Sequence, residues 1–182
     1  MESQHEPAGP AAAGITISGP RLLLRPLRAA EIDAEWRAMV AADPMTIAEL
    51  PDEASFKARL RRSGQLVDGW LDLAIDLDGT VIGRIQTFVP EGRRLAPGTF
   101  DVGIGLDEAV RGKGYGREAL ALLTGWLFEH AGAQVVEAPT DPGNAPMRAV
   151  FGHVGWSLAG TVTEAGRDWV LYRITRQRWQ AR

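Results

Sequence analysis

The sequence of 182 residues contains no cysteine. This absence excludes disulfides, thiolate metal sites and a cysteine nucleophile. The three histidines are scattered along the chain and indicate no metal-ligand cluster. An excess of basic residues is also lacking, because 20 Lys and Arg against 23 Asp and Glu leave a net charge of −3. That balance disfavours a nucleic-acid-binding protein, and we expect neither a metal nor a nucleic-acid partner.

Long apolar runs are missing as well. The richest stretch, residues 119–128, is much shorter than the roughly 20 residues of a membrane span. The N-terminus has neither the basic region nor the apolar segment of a secretion signal. We therefore predict a soluble, cytoplasmic protein without a membrane partner, which also agrees with the lack of cysteine.

The length and composition fit one globular domain. A hydrophobic content of 45% is ordinary for such a domain, and a chain of this length can bury a core. Residues 1–14 are rich in Ala, Gly and Pro and hold no large apolar side chain after Met1. We predict a flexible N-terminal tail at 1–14 and a single domain at 15–182.

Hydrophobic periodicity predicts an α/β fold of the α+β kind. Alternating apolar residues predict strands, and Asp78-Gly79 between two such segments predicts a hairpin. Apolar residues three and four apart predict helices. The predicted strands are 71–77, 81–88, 100–106, 135–138, 156–163 and 168–175, and the segment 15–27 is predicted to be extended. The predicted helices are 30–42, 54–62, 117–131 and a segment between Asn144 and Gly155. This order indicates a mixed sheet with antiparallel hairpins, flanked by helices.

The strand 100–106 has two different faces. Val102, Ile104 and Leu106 alternate with Asp101, Gly103 and Gly105, so that one face is apolar and the other carries a carboxylate and two bare backbone positions. Glycine inside a strand often marks the close approach of a ligand, and it also occurs at bulges and tight packing contacts. Both interpretations stay open on this strand alone.

A glycine-rich loop follows this strand and precedes a predicted helix. Backbone N–H groups of such a loop, together with the positive end of the helix dipole, form a cradle for phosphate groups. Neither a Gly-Lys-Ser/Thr sequence nor the dinucleotide fingerprint is present. The loop is Gly112, Gly114 and Gly116, interleaved with the cations Arg111, Lys113 and Arg117.

The segment Arg111-Gly112-Lys113-Gly114-Tyr115-Gly116 fits the R/Q-x-x-G-x-G/A signature and resembles the GNAT superfamily of acyl-CoA-dependent N-acetyltransferases. Residues 100–156 resemble the branch of the ribosomal-protein N-terminal acetyltransferases. This likeness rests on Asp101, Gly103, the loop, Asn144 and the Gly155-Trp156 pair. Weaker similarity extends over about residues 20–175.

The resemblance implies a GNAT-like fold, in which a mostly antiparallel central sheet splays at the cofactor strand. It also implies acetyl-CoA as co-substrate, with its pyrophosphate on the loop amides and its pantetheine arm on the strand backbone. The cofactor-binding residues so implied are Ile104, Leu106, Arg111, Gly112, Lys113, Gly114, Tyr115, Gly116, Arg117 and Asn144.

Two residues are predicted to be catalytic, Asp101 and Asn144. An alkylamine with a pKa near 10 needs a proton acceptor at neutral pH, and Asp101 occupies a position where many relatives carry an acidic residue. The alternative is that Asp101 is a structural carboxylate; Glu137 and Asp141 are less well placed as bases. Asn144 is predicted to cap its helix through the Met147 amide and to lie near the pantetheine arm.

Met147 stands where relatives often carry serine, which leaves the general acid unassigned; Ser157 and Tyr172 are alternatives. We predict an N-acetyltransferase that moves an acetyl group from acetyl-CoA to a primary amine, of a small molecule or a protein N-terminus, by direct attack. The alternatives are an acyl-CoA-binding sensor or partner protein with weak or no transferase activity, and a phosphate-ligand binding module. Residues 43–54, the loop 89–99 and the closing hairpin are expected to select the acceptor. A homodimer is compatible with these expectations.

Overall fold

The computed structural model describes residues 14–42, 52–90, 93–164 and 166–182. The predicted tail, apart from Gly14, and most of the predicted acceptor segment 43–54 therefore lie outside the described residues. In the described part, eight strands form one sheet in the order β1-β2-β3-β4-β5-β6-β8-β7. The strands are β1 (Ile17–Ser18), β2 (Leu22–Arg25), β3 (Leu71–Leu77), β4 (Thr80–Phe88), β5 (Thr99–Leu106), β6 (Val135–Thr140), β7 (Ser157–Glu164) and β8 (Arg167–Thr175).

Helices flank this sheet, as predicted. They are α1 (Ala29–Ala42), α2 (Glu53–Leu60), α3 (Tyr115–His130), α4 (Ala145–His153) and α5 (Arg176–Gln180). The last helix is short and has no apolar repeat from which it could be predicted. None of the described helices is long and apolar enough to cross a membrane.

The sheet is mixed and mostly antiparallel, which confirms the predicted fold class. The β3–β4 hairpin turns at Asp78 and Gly79, whose φ values of 52° and 86° suit a tight turn. β5 and β6 pair in parallel, and the other neighbouring strands pair in antiparallel directions.

The two faces of the sheet are covered by different helices. The larger core lies on the side of α3 and α4, hereafter the α3 face, where Leu73, Val102 and Leu120 are buried. The opposite side, hereafter the α1 face, holds a smaller core in which Ile32 of α1 and Phe56 of α2 pack against Ala74. This division follows from the strand period of two, since Leu73 and Ala74 point to opposite faces.

β5 and β6 diverge after a short contact. Their pairing in the described residues runs from Thr99–Val135 to Asp101–Glu137, whereas β5 continues to Leu106 and β6 to Thr140. The second half of β5 is paired with β4 on one side only. The sheet is therefore splayed at β5, as the resemblance implied.

Candidate functional site

A cavity of about 560 Å³ lies along the second half of β5, beside the divergence from β6. Its walls come from three segments: β5, the loop that leads into α3, and α4. The lining contains eight residues predicted to bind the cofactor, namely Ile104, Leu106, Arg111, Gly112, Gly114, Gly116, Arg117 and Asn144. Three other predicted site residues, Lys113, Tyr115 and Asp101, are not among the described residues that line the cavity.

The glycines of the loop give the backbone room at the start of α3. Gly112 and Gly114 have φ values of 75° and 84°, which side-chain-bearing residues rarely adopt. Gly114 is the N-cap of α3, and its lack of a side chain leaves the first-turn amides without a side-chain cap. The arrangement therefore presents backbone donors and the positive helix end to the cavity.

Two cations of the loop, Arg111 and Lys113, donate to carbonyl groups of the segment that precedes the loop. Arg111 Nε donates to the carbonyl of Leu106 at 2.9 Å, and Lys113 Nζ donates to that of Ala109 at 3.1 Å. Arg111 and Arg117 line the cavity and are exposed. Their charges face the place where an anionic group would enter.

A brace between β2 and α3 supports the loop, and the sequence patterns did not indicate it. Arg21 Nε donates to Glu118 at 2.7 Å, one Arg21 guanidinium nitrogen donates to the Lys113 carbonyl at 3.2 Å, and the guanidinium lies 4.8 Å from the Tyr115 ring centre. Burial pushes the pKa of Glu118 up, but hydrogen bonds from the Arg21 and Leu22 amides and the Arg21 guanidinium lower it overall. Glu118 is therefore ionised and ties the start of α3 to the sheet.

Asn144 begins α4 at the far wall of the cavity. Its side chain accepts from the Met147 amide at 3.1 Å, which is the predicted cap. Met147 also lines the cavity. His153, at the end of α4, is exposed and lines the cavity with Nδ1 2.7 Å from the Ala149 carbonyl oxygen; its place in the sequence, beside core residues, did not indicate this.

Gly105 lies where the cavity meets the α1 face. It lines the cavity and is exposed, and a Cβ added to it would meet no described atom beyond its chain neighbours within 4 Å. Gly103 is more enclosed, because an added Cβ would lie 3.3 Å from the side-chain nitrogen Nε2 of Gln86. The open position on this strand is therefore Gly105.

Asp101 is buried in a network of ion pairs beside the cavity. Its side chain is fully buried, and it pairs with Arg93, which also pairs with Glu137. Glu137 in turn accepts from Arg173 Nε at 2.9 Å. The network joins the loop 93–98 to β5, β6 and β8 at the point where β5 and β6 still pair, an arrangement that suits the structural interpretation of Asp101.

The other catalytic alternatives lie apart from the cavity lining. Asp141 accepts from the Gly143 amide at 2.6 Å and pairs with Arg167; the hydrogen bond from Gly143, followed by Arg167, holds the pKa of Asp141 below its usual range. The Tyr172 hydroxyl accepts from Arg148 Nε at 3.3 Å. Ser157 accepts from Arg178 at 3.3 Å. None of these described groups lines the cavity.

The α1 face carries a second group of charged residues that sequence periodicity did not reveal. Arg84 of β4 donates through Nε to Glu35 of α1 at 3.2 Å, and it also pairs with the buried Asp72 of β3. Burial raises the pKa of Glu35 above its ordinary value, and Asp107 and Asp72 act in the same direction, against the opposing effect of Arg84. Arg84 is the strand partner of Gly105, so this group borders the open position on β5.

The sequence matches the acetyltransferase (GNAT) domain family over residues 21–157. No curated protein sequence matches the chain. RimJ from Mycobacterium smegmatis, solved with CoA-disulfide, is similar in structure: the TM-score is 0.70, the identity is 21%, and the match covers 92% of this chain and 94% of RimJ.

Two further solved structures are similar. The aminoglycoside acetyltransferase AAC(6')-Ib with coenzyme A has a TM-score of 0.71 and 19% identity over 88% of this chain and 98% of its own. A candidate ribosomal-protein-serine acetyltransferase from Vibrio cholerae has a TM-score of 0.65 and 17% identity over 91% of this chain and 99% of its own. At these identities the likeness concerns the fold.

Proposed function

Since this chain belongs to the GNAT acetyltransferase family, as the loop signature indicated, we propose that it transfers the acetyl group of acetyl-CoA to a primary amine by direct attack. The acceptor is a small molecule or a protein N-terminus. Both kinds of acceptor have support, since the similar structures include an aminoglycoside acetyltransferase and a candidate ribosomal-protein-serine acetyltransferase.

The cavity along the free edge of β5 carries this proposal. Its loop combines two left-handed glycines, an uncapped helix start and two exposed arginines, which fits a pyrophosphate group. Its other walls, Ile104, Leu106 and Met147, are apolar and suit the less polar arm of CoA. The loop amides and arginines would hold the phosphates, and the unpaired edge of β5 would bind the arm through its backbone.

Each predicted site residue has a role in this proposal. Ile104 and Leu106 supply the backbone along which the arm lies, and a β5 amide stabilises the oxyanion that develops on the thioester carbonyl. Asn144 caps α4 and faces the arm. Lys113 and Tyr115 act as parts of the loop, held by Ala109 and Arg21. Asp101 as the base stays a prediction, as do the cytoplasmic location and the homodimer.

The decisive experiment combines binding with turnover. Titration calorimetry measures the binding of acetyl-CoA, and a thiol reagent measures the release of CoA in the presence of butylamine, spermidine, kanamycin or a short peptide with a free N-terminus. We expect binding and amine-dependent thiol release. Binding without release for every amine would support the sensor, and no binding of CoA would contradict the proposal altogether.

A further inference from the structure

β5 separates two open spaces at Gly105. The cavity proposed for CoA reaches Gly105 on one side, and on the α1 face an added Cβ would meet no described atom beyond the chain neighbours within 4 Å. α1 and α2 cover Ala74 of the same face, and none of their described atoms would lie within 4 Å of that added Cβ. An acceptor can therefore approach β5 from the α1 face, opposite the helices that border the cavity.

Arg84 is the neighbour of Gly105 on β4, and Glu35 contacts Arg84. Arg84 is the strand partner of Gly105, so their Cα atoms are about 5 Å apart and both residues point to the α1 face. Glu35 is held there by the Arg84 Nε hydrogen bond of 3.2 Å, and its side chain is 23% exposed. The carboxylate is thus bound to the strand partner of Gly105 and is partly exposed to a ligand.

On this basis, which rests on the proposed function, we infer that Glu35 accepts the proton of the acceptor's ammonium group in the open space above Gly105. The ammonium loses one proton to the Glu35 carboxylate, and the nitrogen lone pair then forms a bond to the thioester carbonyl carbon. The carbon–sulfur bond breaks, CoA leaves as the thiolate, and the second proton of the nitrogen passes to that thiolate. The product is the neutral amide, and Glu35 returns its proton to water.

The surroundings of Glu35 suit this role better than those of Asp101. Asp101 is fully buried and paired with Arg93, which also pairs with Glu137. Glu35 is likewise paired with a guanidinium that it shares with Asp72, but its side chain is 23% exposed, so that a ligand can reach the carboxylate.

The charged groups around Glu35 act in both directions. Arg84 of β4 favours its ionised form, whereas burial, Asp107 after β5 and Asp72 of β3 raise its pKa, and the raised pKa prevails. Arg59 of α2 lies 3.3 Å from Asp72 and partly neutralises it. A carboxylate with a raised pKa is a stronger base than an ordinary glutamate, and a bound ammonium group would complement its charge.

The test compares Glu35→Gln with Asp33→Asn, an exposed carboxylate of the same helix, and with Asp101→Asn. With the best alkylamine of the panel above, we expect E35Q to lose about 10²- to 10⁴-fold in kcat at neutral pH. The loss should shrink as the pH rises toward the pKa of the amine. With hydroxylamine, which is already neutral at pH 7, the loss should be small. D33N should behave as wild type, and acetyl-CoA affinity should be unchanged in E35Q.

Several results would overturn the inference. Equal losses of kcat in E35Q with the alkylamine and with hydroxylamine would indicate a structural role for Glu35. An unchanged pH profile of kcat in E35Q would indicate that Asp101 or water is the base. If E35Q fails to fold by circular dichroism, Glu35→Asp, which keeps the carboxylate, must retain the acid limb of the wild-type pH profile. A wild-type protein that binds acetyl-CoA but releases no thiol with any amine would contradict the proposed function itself.

Discussion

The substitution Gly114→Val tests the phosphate-binding loop most directly. Gly114 has a φ of 84° immediately before the first residue of α3. A valine at this φ is strained by about 1–2 kcal/mol, because its Cβ crowds the following carbonyl oxygen. The added Cβ would lie 3.5 Å from a guanidinium nitrogen of Arg21, which is an ordinary contact, so the folded protein should accommodate the side chain.

Gly79→Val is the matched control for the backbone strain. Gly79 has a φ of 86° in the β3–β4 turn, and an added Cβ would meet no described atom within 4 Å. It does not line the cavity. Both variants should lose about 1–2 kcal/mol of unfolding free energy in urea denaturation, since the strain is the same.

Only Gly114→Val should lose affinity for CoA. Its side chain covers the amides at the start of α3, and a hydrogen bond to a charged group contributes about 1.5–3 kcal/mol. That loss corresponds to an increase in Kd of about 10- to 150-fold, measured by titration calorimetry. An unchanged Kd in Gly114→Val would refute the placement of the pyrophosphate, and an equal loss in Gly79→Val would show that strain alone weakens binding.

Three other predictions concern the supports of the site. Arg21→Met should raise KM for acetyl-CoA about 3- to 10-fold with little change in kcat, because the loop loses a hydrogen bond of about 1 kcal/mol. Arg21→Lys should recover part of the lost affinity. A change in kcat alone would contradict the role of Arg21 as a brace. Asn144→Ala should lower the free energy of unfolding by about 1 kcal/mol, whereas Asn144→Asp should leave it unchanged, since aspartate caps a helix as well as asparagine does. Equal urea midpoints for Asn144→Ala and the wild type would disprove the cap. The Arg25 hydrogen bond lowers the pKa of Glu31 below 4.5, so the ionised Glu31 stabilises the fold above pH 4.5, and this stabilisation is lost as the pH falls through the lowered pKa. The unfolding free energies of Glu31→Gln and the wild type, measured in urea, should therefore become equal in acid. A difference between them that grows in acid would refute this.

The periodicity of the chain determined its longer helices and strands and the faces of those strands. Alternation over 71–77 and 100–106, with Asp78-Gly79 between strands, was sufficient for the hairpin and for the two faces of β5, because these signals are local. The loop from Arg111 to Gly116 was recognised for the same reason: its glycines and cations are consecutive, and their place between strand and helix sets the direction of the amides.

Contacts between distant segments could be decided only by the tertiary structure. Arg93 pairs with Asp101 and with Glu137, which is 44 residues from Arg93, and Glu35 pairs with Arg84 across 49 residues. Periodicity placed Asp101 on the glycine-bearing face of β5, but the direction of a side chain does not specify which cations converge on it. The divergence of β5 from β6 likewise depends on how the two strands pack, and it determines which carboxylates are enclosed by ion pairs and which border an open space.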